Sequence, residues 1–375
     1  MASTDSPSVR PSLDASAFDT FRPRNEVPAA ARALLDDNMF RYSRRLFIAI
    51  NADQFFGLDR TQEHADLADA PFASDIYHPW TVRHFLTYLR KIEGSVALPE
   101  VSRVLGAMER AGLLVSEGHL AGDSLGGQVY FAAKGAPSQR RQGSIMWLAE
   151  AFGAELITSS YNPVTVQIVG TSTTPGGADQ LWGTGLTLDE THVVTNRHVI
   201  ERMDRDISVV WHGVSGEESR VAHVRGMHPT LDVAVLEVIP VPDRGGLDYL
   251  PGMVFRDPAW SDETYVFGYP RVPMTAEMAI TVQRGEVVNP HTPSMPGRTP
   301  IFLFSAIARP GNSGGPIVAS DGRVIGLVVE DSADTTSSEG APNAAPFFRG
   351  LPSSEVLRAL DDLGFGKLAK FETWQ

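Results

Sequence analysis

Hydrophobic and polar positions alternate with different periods in different parts of the chain. Residues 1–27 are rich in Ser, Pro and Asp with no apolar repeat, which predicts a flexible tail. Apolar residues then recur at helical spacing in Ala29–Arg45, Trp80–Arg90 and Glu100–Ala111. A short strand at Leu113–Val115, a Gly-rich turn and a second apolar run at Gln128–Ala133 predict a hairpin behind these helices. Lys134–Gln142 reads as a linker, and a short helix over Ser144–Gly153 is expected to precede a first barrel strand at Val164–Val169. Beyond it the apolar runs are short, rich in β-branched residues and separated by turn residues, as in His192–Thr195, Leu231–Val238 and Val324–Val329. Residues 331–346 are polar and predict a mobile loop, and Ser353–Leu360 carries helix-start signals.

A length of 375 residues fits two or three domains. Charge is unevenly spread: 16 basic and 18 acidic residues in 1–150, against 16 and 27 in 151–375, for −13 in total. The acidic second half is a poor match for phosphate backbones. No 18-residue apolar run is present and the first residues lack the basic start and apolar core of a signal peptide, so a cytoplasmic protein with no membrane partner is expected. With no cysteine, disulfides are excluded and the folded units must be held by core packing.

Candidate chemistry concentrates at three places. In Pro310-Gly311-Asn312-Ser313-Gly314-Gly315-Pro316 the glycines let the backbone take positive φ and let a carbonyl approach closely, exposing one hydroxyl beside the N–H groups of Gly311 and Ser313. Ser313 is therefore a candidate nucleophile, and those two N–H groups a candidate oxyanion hole. A serine hydroxyl needs a base, and the base needs an orienter. His198 follows the apolar strand in His192-Val193-Val194-Thr195-Asn196-Arg197-His198, and Asp232 sits at the mouth of the apolar run through Val238, where a lone carboxylate would be costly to bury. Each piece alone has an ordinary structural reading as a turn, a satisfied histidine or a cap. A metal cluster of His212, His223 and His228 with Asp204 or Asp206 has poor ligand spacing, and neither a metal nor an organic cofactor is expected.

The order His, Asp, Ser, together with Gly183-Thr184-Gly185-Leu186, VVTNRHVI, DVAVLEV, Phe267-Gly268-Tyr269-Pro270 and RPGNSGGPIVASDGRVIGLVV, resembles the trypsin-like serine peptidases, and within them the disulfide-free bacterial branch related to the HtrA/Deg proteases. This resemblance spans roughly residues 160–360. It implies two six-stranded β-barrels of chymotrypsin-like fold with His198, Asp232 and Ser313 in the cleft between them, and a protein or peptide substrate. By the family pattern Ile307 forms the floor of the specificity pocket, while the edge of the strand ending in Val328 and Val329, followed by Glu330, binds substrate backbone. Asn312 stands where trypsin-type zymogens carry an acid, so activation by N-terminal cleavage is not expected, and neither is PDZ-controlled assembly of the HtrA kind.

The segment VSRVLGAMERAGLLVSEGHLAGDSLGGQVYFAAKG resembles the recognition helix and wing of bacterial winged-helix domains. The expected organisation is a tail at 1–27, a winged-helix-like sensor or interaction domain at 28–142, a peptidase domain at 143–363 and a C-terminal tail at 364–375. The resemblances imply a serine endopeptidase controlled by a regulatory protein or ligand at its N-terminal domain. Arg83, Arg90, Lys91, Arg103 and Arg110 supply a basic face for nucleic acid, but Glu93, Glu100 and Glu109 interleave with it and a nucleic-acid partner is disfavoured. The competing reading is a DNA-bound regulator whose peptidase fold serves as a self-cleaving or binding module.

Overall fold

The computed structural model describes residues 44–57, 61–70, 79–120, 126–133, 144–174, 177–213, 216–239, 245–272, 274, 278–295, 297–329 and 347–372. The expected tail at 1–27, the linker, and the loop at 331–346 lie outside them, as does most of the helix expected at Ala29–Arg45. The chain divides into two compact units, Met1–Gly135 and Ala136–Gln375.

In the first unit, residues 44–55 are helical (α1), followed by α2 (Gln62–Ala68), α3 (Val82–Glu93), α4 (Leu98–Arg110) and an antiparallel hairpin of β1 (Leu114–His119) and β2 (Gln128–Ala132). A capping box starts α3: the Thr81 hydroxyl accepts the His84 N–H at 3.3 Å, and the Thr81 N–H donates to His84 Nδ1 at 3.2 Å. Thr81 also forms a bridge to Val129, adding a one-residue third strand to the hairpin. Phe55, Phe56, Phe85 and Trp80 are buried with ring centroids 4.7 to 5.2 Å from Phe55, forming an aromatic core.

The second unit opens with a 3₁₀ turn (Ile145–Leu148), α5 (Ala149–Phe152) and α6 (Ala154–Tyr161). The helix expected to end at Gly153 instead restarts there. Gly153 takes φ 62°, which breaks α5, and Leu156, Ile157 and Tyr161 give α6 a buried face. The Tyr161 hydroxyl donates to Gly322 O at 2.9 Å, tying α6 to a second-barrel hairpin.

The first barrel closes in the order β3-β4-β5-β8-β7-β6, from β3 (Thr165–Thr174), β4 (Gly177–Thr187), β5 (His192–Thr195), β6 (Arg205–Gly213), β7 (Gly216–Met227) and β8 (Ala234–Val238). Its first strand starts at Thr165 and runs past the expected Val169. Val166 and Ile168 point inward with period two, meeting Val193, Val209 and Leu236. A short helix, α7 (Arg197–Glu201), follows β5. The turn into β5 is organised by Asp189, whose carboxylate accepts the N–H groups of Thr191 (2.8 Å) and His192 (2.7 Å) and meets the His192 ring at 2.9 Å. Burial alone would push the Asp189 carboxyl up; those N–H groups and the ring hold it below the usual carboxylate value.

The second barrel contains β10 (Glu263–Gly268), β11 (Thr281–Pro293), β12 (Pro300–Phe304), β13 (Pro316–Ala319), β14 (Val324–Val328) and β15 (Phe348–Pro352). The order β13-β10-β11-β12-β15-β14 closes through the β13–β14 pair into a second six-stranded antiparallel barrel. Phe302 is fully buried at its centre, and a Cβ on Gly326 or Gly350 would lie 2.6 or 2.4 Å from its ring. Those two positions are glycine because the phenyl ring occupies the space.

After α8 (Ser353–Asp362) the segment expected as a tail is ordered through residue 372. β16 (Lys370–Phe371) pairs in parallel with β9 (Val254–Phe255), and Arg323 pairs with Glu372 at 2.5 Å. The alternating pattern there is too short to register as a strand.

Two outcomes follow. Phe302→Ala should lower stability by about 3–5 kcal/mol in chemical denaturation, because the ring's space cannot collapse. Asp189 stabilises the fold above its unfolded carboxyl value and loses that contribution as pH falls through its lowered folded value. The stability gap between wild type and Asp189→Asn should therefore narrow on acidification from neutral pH.

Candidate active site

Antiparallel pairing of β5 with β8 brings the first two groups together. Thr195 faces Ala234, so the residues just past the end of β5 lie beside those just ahead of β8. His198, in the first turn of α7, thereby meets Asp232. The contact is double: His198 Nδ1 to Asp232 Oδ2 is 2.7 Å, and the His198 backbone N–H donates to Asp232 Oδ1 at 2.9 Å. Asn196, fully buried at the N-cap of α7, donates from Nδ2 to the Asp232 carbonyl at 2.9 Å. Arg197 Nη1 donates to the carbonyls of His228 (3.0 Å) and Pro229 (2.6 Å) in the same turn. The carboxylate accepts from both N–H groups of one histidine, which orients the imidazole with Nε2 outward.

Ser313 comes from the second barrel, on the tight turn leading into β13. Gly311 and Gly314 take φ 104° and 82°. Side chains are excluded at these places. A Cβ at Gly314 would lie 2.2 Å from Thr195 Oγ1, one at Gly311 2.5 Å from Tyr269 O, and one at Gly315 2.1 Å from Phe267 O. Ser313, Gly311 and Pro310 line one groove with His198, Val199, Leu181, Trp182 and Arg202, so the serine turn and the histidine border the same space.

Thr184 ties this turn to the first barrel. Its N–H donates to Ser313 O at 2.9 Å, its hydroxyl donates to Gly311 O at 2.6 Å and accepts the Tyr269 N–H at 3.0 Å, and its carbonyl accepts the Thr195 hydroxyl at 2.7 Å. No Gly311 N–H bond to a backbone carbonyl occurs among the described residues.

The expected substrate-contacting residues divide. Ile307 is 48% exposed between buried Ala306 and Ala308 and lies outside the groove-lining set. Val328 corrects an expectation: β14 is flanked by β13 and β15, and Val328 donates to Gly315 O at 2.9 Å and accepts from Gly314 N at 3.0 Å, with its side chain in the barrel core. It has no edge to offer a substrate. Val329 is half-buried and donates its N–H to Arg349 O at 2.9 Å, and Glu330 lies outside the described residues. Thr184, Asn196 and Arg197 escaped sequence reasoning although two of them lie within two positions of His198. Of the histidines and acids weighed as metal ligands, Asp204 accepts from Thr173 N and His228 contacts Asp362.

Thr184→Val keeps the shape but strands the Tyr269 N–H and the Gly311 carbonyl. A loss of roughly 2 to 4 kcal/mol in denaturant unfolding is expected.

Residues 183–327 match the family profile of the trypsin-like peptidase domain. A serine protease Do-like HtrA of Lactobacillus helveticus is 28% identical over 190 residues, covering 46% of this chain and 39% of the relative, so the chain spans about two-fifths of that relative's length. Among solved structures, the Rv3671c protease of M. tuberculosis in its active form is 24% identical with a TM-score of 0.42, covering 57% of this chain and 86% of that one. The HtrA-type protease AlgW with a tripeptide is 19% identical with a TM-score of 0.42, over 55% and 62%. With its two closed six-stranded barrels the second unit has a chymotrypsin-like double-barrel fold, and residues 183–327 within it are similar to the trypsin-like peptidase domain.

Proposed function

We propose that this protein is a serine endopeptidase acting on protein or peptide substrates, with Ser313 as nucleophile, His198 as general base and Asp232 as its orienter. The observation that carries this reading is the doubly bonded Asp232–His198 pair facing the groove that also holds Ser313. Ser313 Oγ attacks the peptide carbonyl carbon as His198 Nε2 takes its proton. Negative charge on the former carbonyl oxygen is met by the N–H groups of Gly311 and Ser313. The C–N bond then breaks as His198 delivers the proton to the leaving amine, and a water deprotonated by the same imidazole hydrolyses the acyl ester. Asp232 stays ionised and stabilises the imidazolium. Asn312, buried beside the nucleophile, carries no charge for a new N-terminus to pair with, which supports control by some means other than N-terminal cleavage.

Control belongs, on this reading, to the first unit, a winged-helix-like domain that receives a regulatory protein or ligand. The order of α3, α4 and the hairpin, with the Thr81–Val129 bridge as third strand, supports that assignment. Three of its basic side chains have partners within the unit: Arg90 Nε donates to Val96 O at 3.2 Å, Arg103 Nε to Pro99 O at 3.4 Å, and Lys91 pairs with Asp69 at 2.7 Å. This favours a protein-interaction role over phosphate binding. No helix among the described residues is long and apolar enough to cross a membrane, and a cytoplasmic location fits the lack of cysteine.

The test is covalent labelling by a fluorophosphonate probe. Wild type should label and cleave a peptide substrate. Ser313→Ala should lose labelling and roughly 10⁶-fold in kcat, and Asp232→Asn should lose roughly 10⁴-fold by favouring the wrong imidazole tautomer. Equal labelling of wild type and Ser313→Ala would overturn the assignment. Stronger labelling of a chain starting at residue 136 than of the full chain would assign the first unit an inhibitory role.

A further inference from the structure

We infer that His228 is a positioning residue for Asp232: its imidazole organises the turn that carries the carboxylate and anchors that turn to the end of α8. This rests on the reading of His198 and Asp232 given above. Residues 228–233, between β7 and β8, contain no regular secondary structure. The turn is closed by two backbone bonds, His228 N–H to Val233 O and Val233 N–H to Leu231 O, each 2.9 Å. The buried ring of His228 fills its interior. Nδ1 accepts the Leu231 N–H at 2.9 Å and the Thr230 N–H at 3.3 Å.

An imidazole nitrogen facing two donors must be unprotonated, so the neutral ring carries its proton on Nε2. Nε2 lies 3.1 Å from Asp362 Oδ2 and donates to it. The ring is therefore a rigid strut, with one nitrogen on the backbone immediately before Asp232 and the other on the last residue of α8. The other charged group on the turn is Arg197, whose guanidinium holds the His228 and Pro229 carbonyls and pairs with Glu201 at 3.0 Å. Barrel closure does not depend on the strut, because the β7–β8 register already ends at Met227–Ala234. Its loss should leave the barrel intact while moving the carboxylate, and misplacement of an orienting group by about 1 Å costs on the order of 100-fold in rate.

Three full-length variants separate positioning from simple packing. His228→Leu removes both ring bonds. His228→Asn places Oδ1 near the position of Nδ1, keeping the acceptor for Leu231 but losing the reach to Asp362. Asp362→Ala, at a largely exposed site, removes only the outer anchor. For each, kcat and KM are measured on a peptide substrate per fluorophosphonate-titrated site, and the downfield proton resonance of the His198 Nδ1–H···Asp232 bond is recorded.

The expected result for His228→Leu is a kcat loss of roughly 100-fold with KM unchanged and the resonance broadened or lost. His228→Asn should recover most of both, and Asp362→Ala, which loses the same outer anchor but keeps the whole ring, should show a loss no greater than that of His228→Asn. A folded His228→Leu with wild-type kcat and resonance overturns the inference, as does an equal loss in the Leu and Asn variants. Should the Leu variant fail to fold, wild-type kcat and resonance in both His228→Asn and Asp362→Ala overturns it as well. A wild type that neither labels nor cleaves would defeat the peptidase reading instead, while the resonance would still report whether His228 holds Asp232 against His198.

Discussion

Three hydrogen bonds at Thr184 join the two barrels. The residue belongs to β4 of the first barrel, yet its N–H and hydroxyl are spent on Ser313 and Gly311 of the second, and the same hydroxyl accepts from Tyr269. Its carbonyl takes the hydroxyl of Thr195, the last residue of β5, from which His198 is three residues away. The Ser313 turn and the strand leading to His198 are thus fixed to one fully buried residue. Because Thr184 is excluded from water, the geometry on both sides is enforced by the penalty for leaving any of these bonds unmade.

The glycines around Ser313 express the same constraint sterically. Gly314 and Gly315 sit where Thr195, Thr184 and Phe267 approach to distances no Cβ could tolerate. The turn is tight because the barrels press on it, and its positive φ values are the conformations left open. Around the Asp232 carboxylate, by contrast, the constraint is polar: amides, an asparagine and an arginine fix the turn from several sides. Lacking cysteine, the chain also uses ion pairs where packing alone was expected to suffice. Arg256 bonds Asp262 and Asp321, each at 2.7 Å, while Arg323 reaches Asp321 and Glu372 and fixes the C-terminal segment to the second barrel. With side chains mostly removed from solvent, such a network resists the screening that weakens isolated surface pairs.

What was legible in the chain depended on how local its cause was. The β-branched runs of β5, β8 and β14, the helices α3 and α4, and the glycine-bracketed serine turn each have a cause within a few residues, and each falls where the pattern placed it to within a few positions. Boundaries moved where a distant partner decided them. α6 continues beyond Gly153 because Tyr161 finds Gly322, and residues 370–371 become a strand because β9 offers them an edge. The misreading of Val328 has the same origin: an apolar run announces a strand but does not state how many neighbours flank it.

The sequence by itself determined the strand-forming runs, the identity of His198, Asp232 and Ser313 as residues whose chemistry complements one another, and the glycines that let the serine turn form, since those properties follow from side-chain type and nearest neighbours. The tertiary structure alone decided which groups hold them in place. Thr184, Asn196, His228 and Asp362 act through hydrogen bonds to residues from 2 to 134 positions away, and a hydrogen bond's worth depends on burial and direction, which only closure of the two barrels sets.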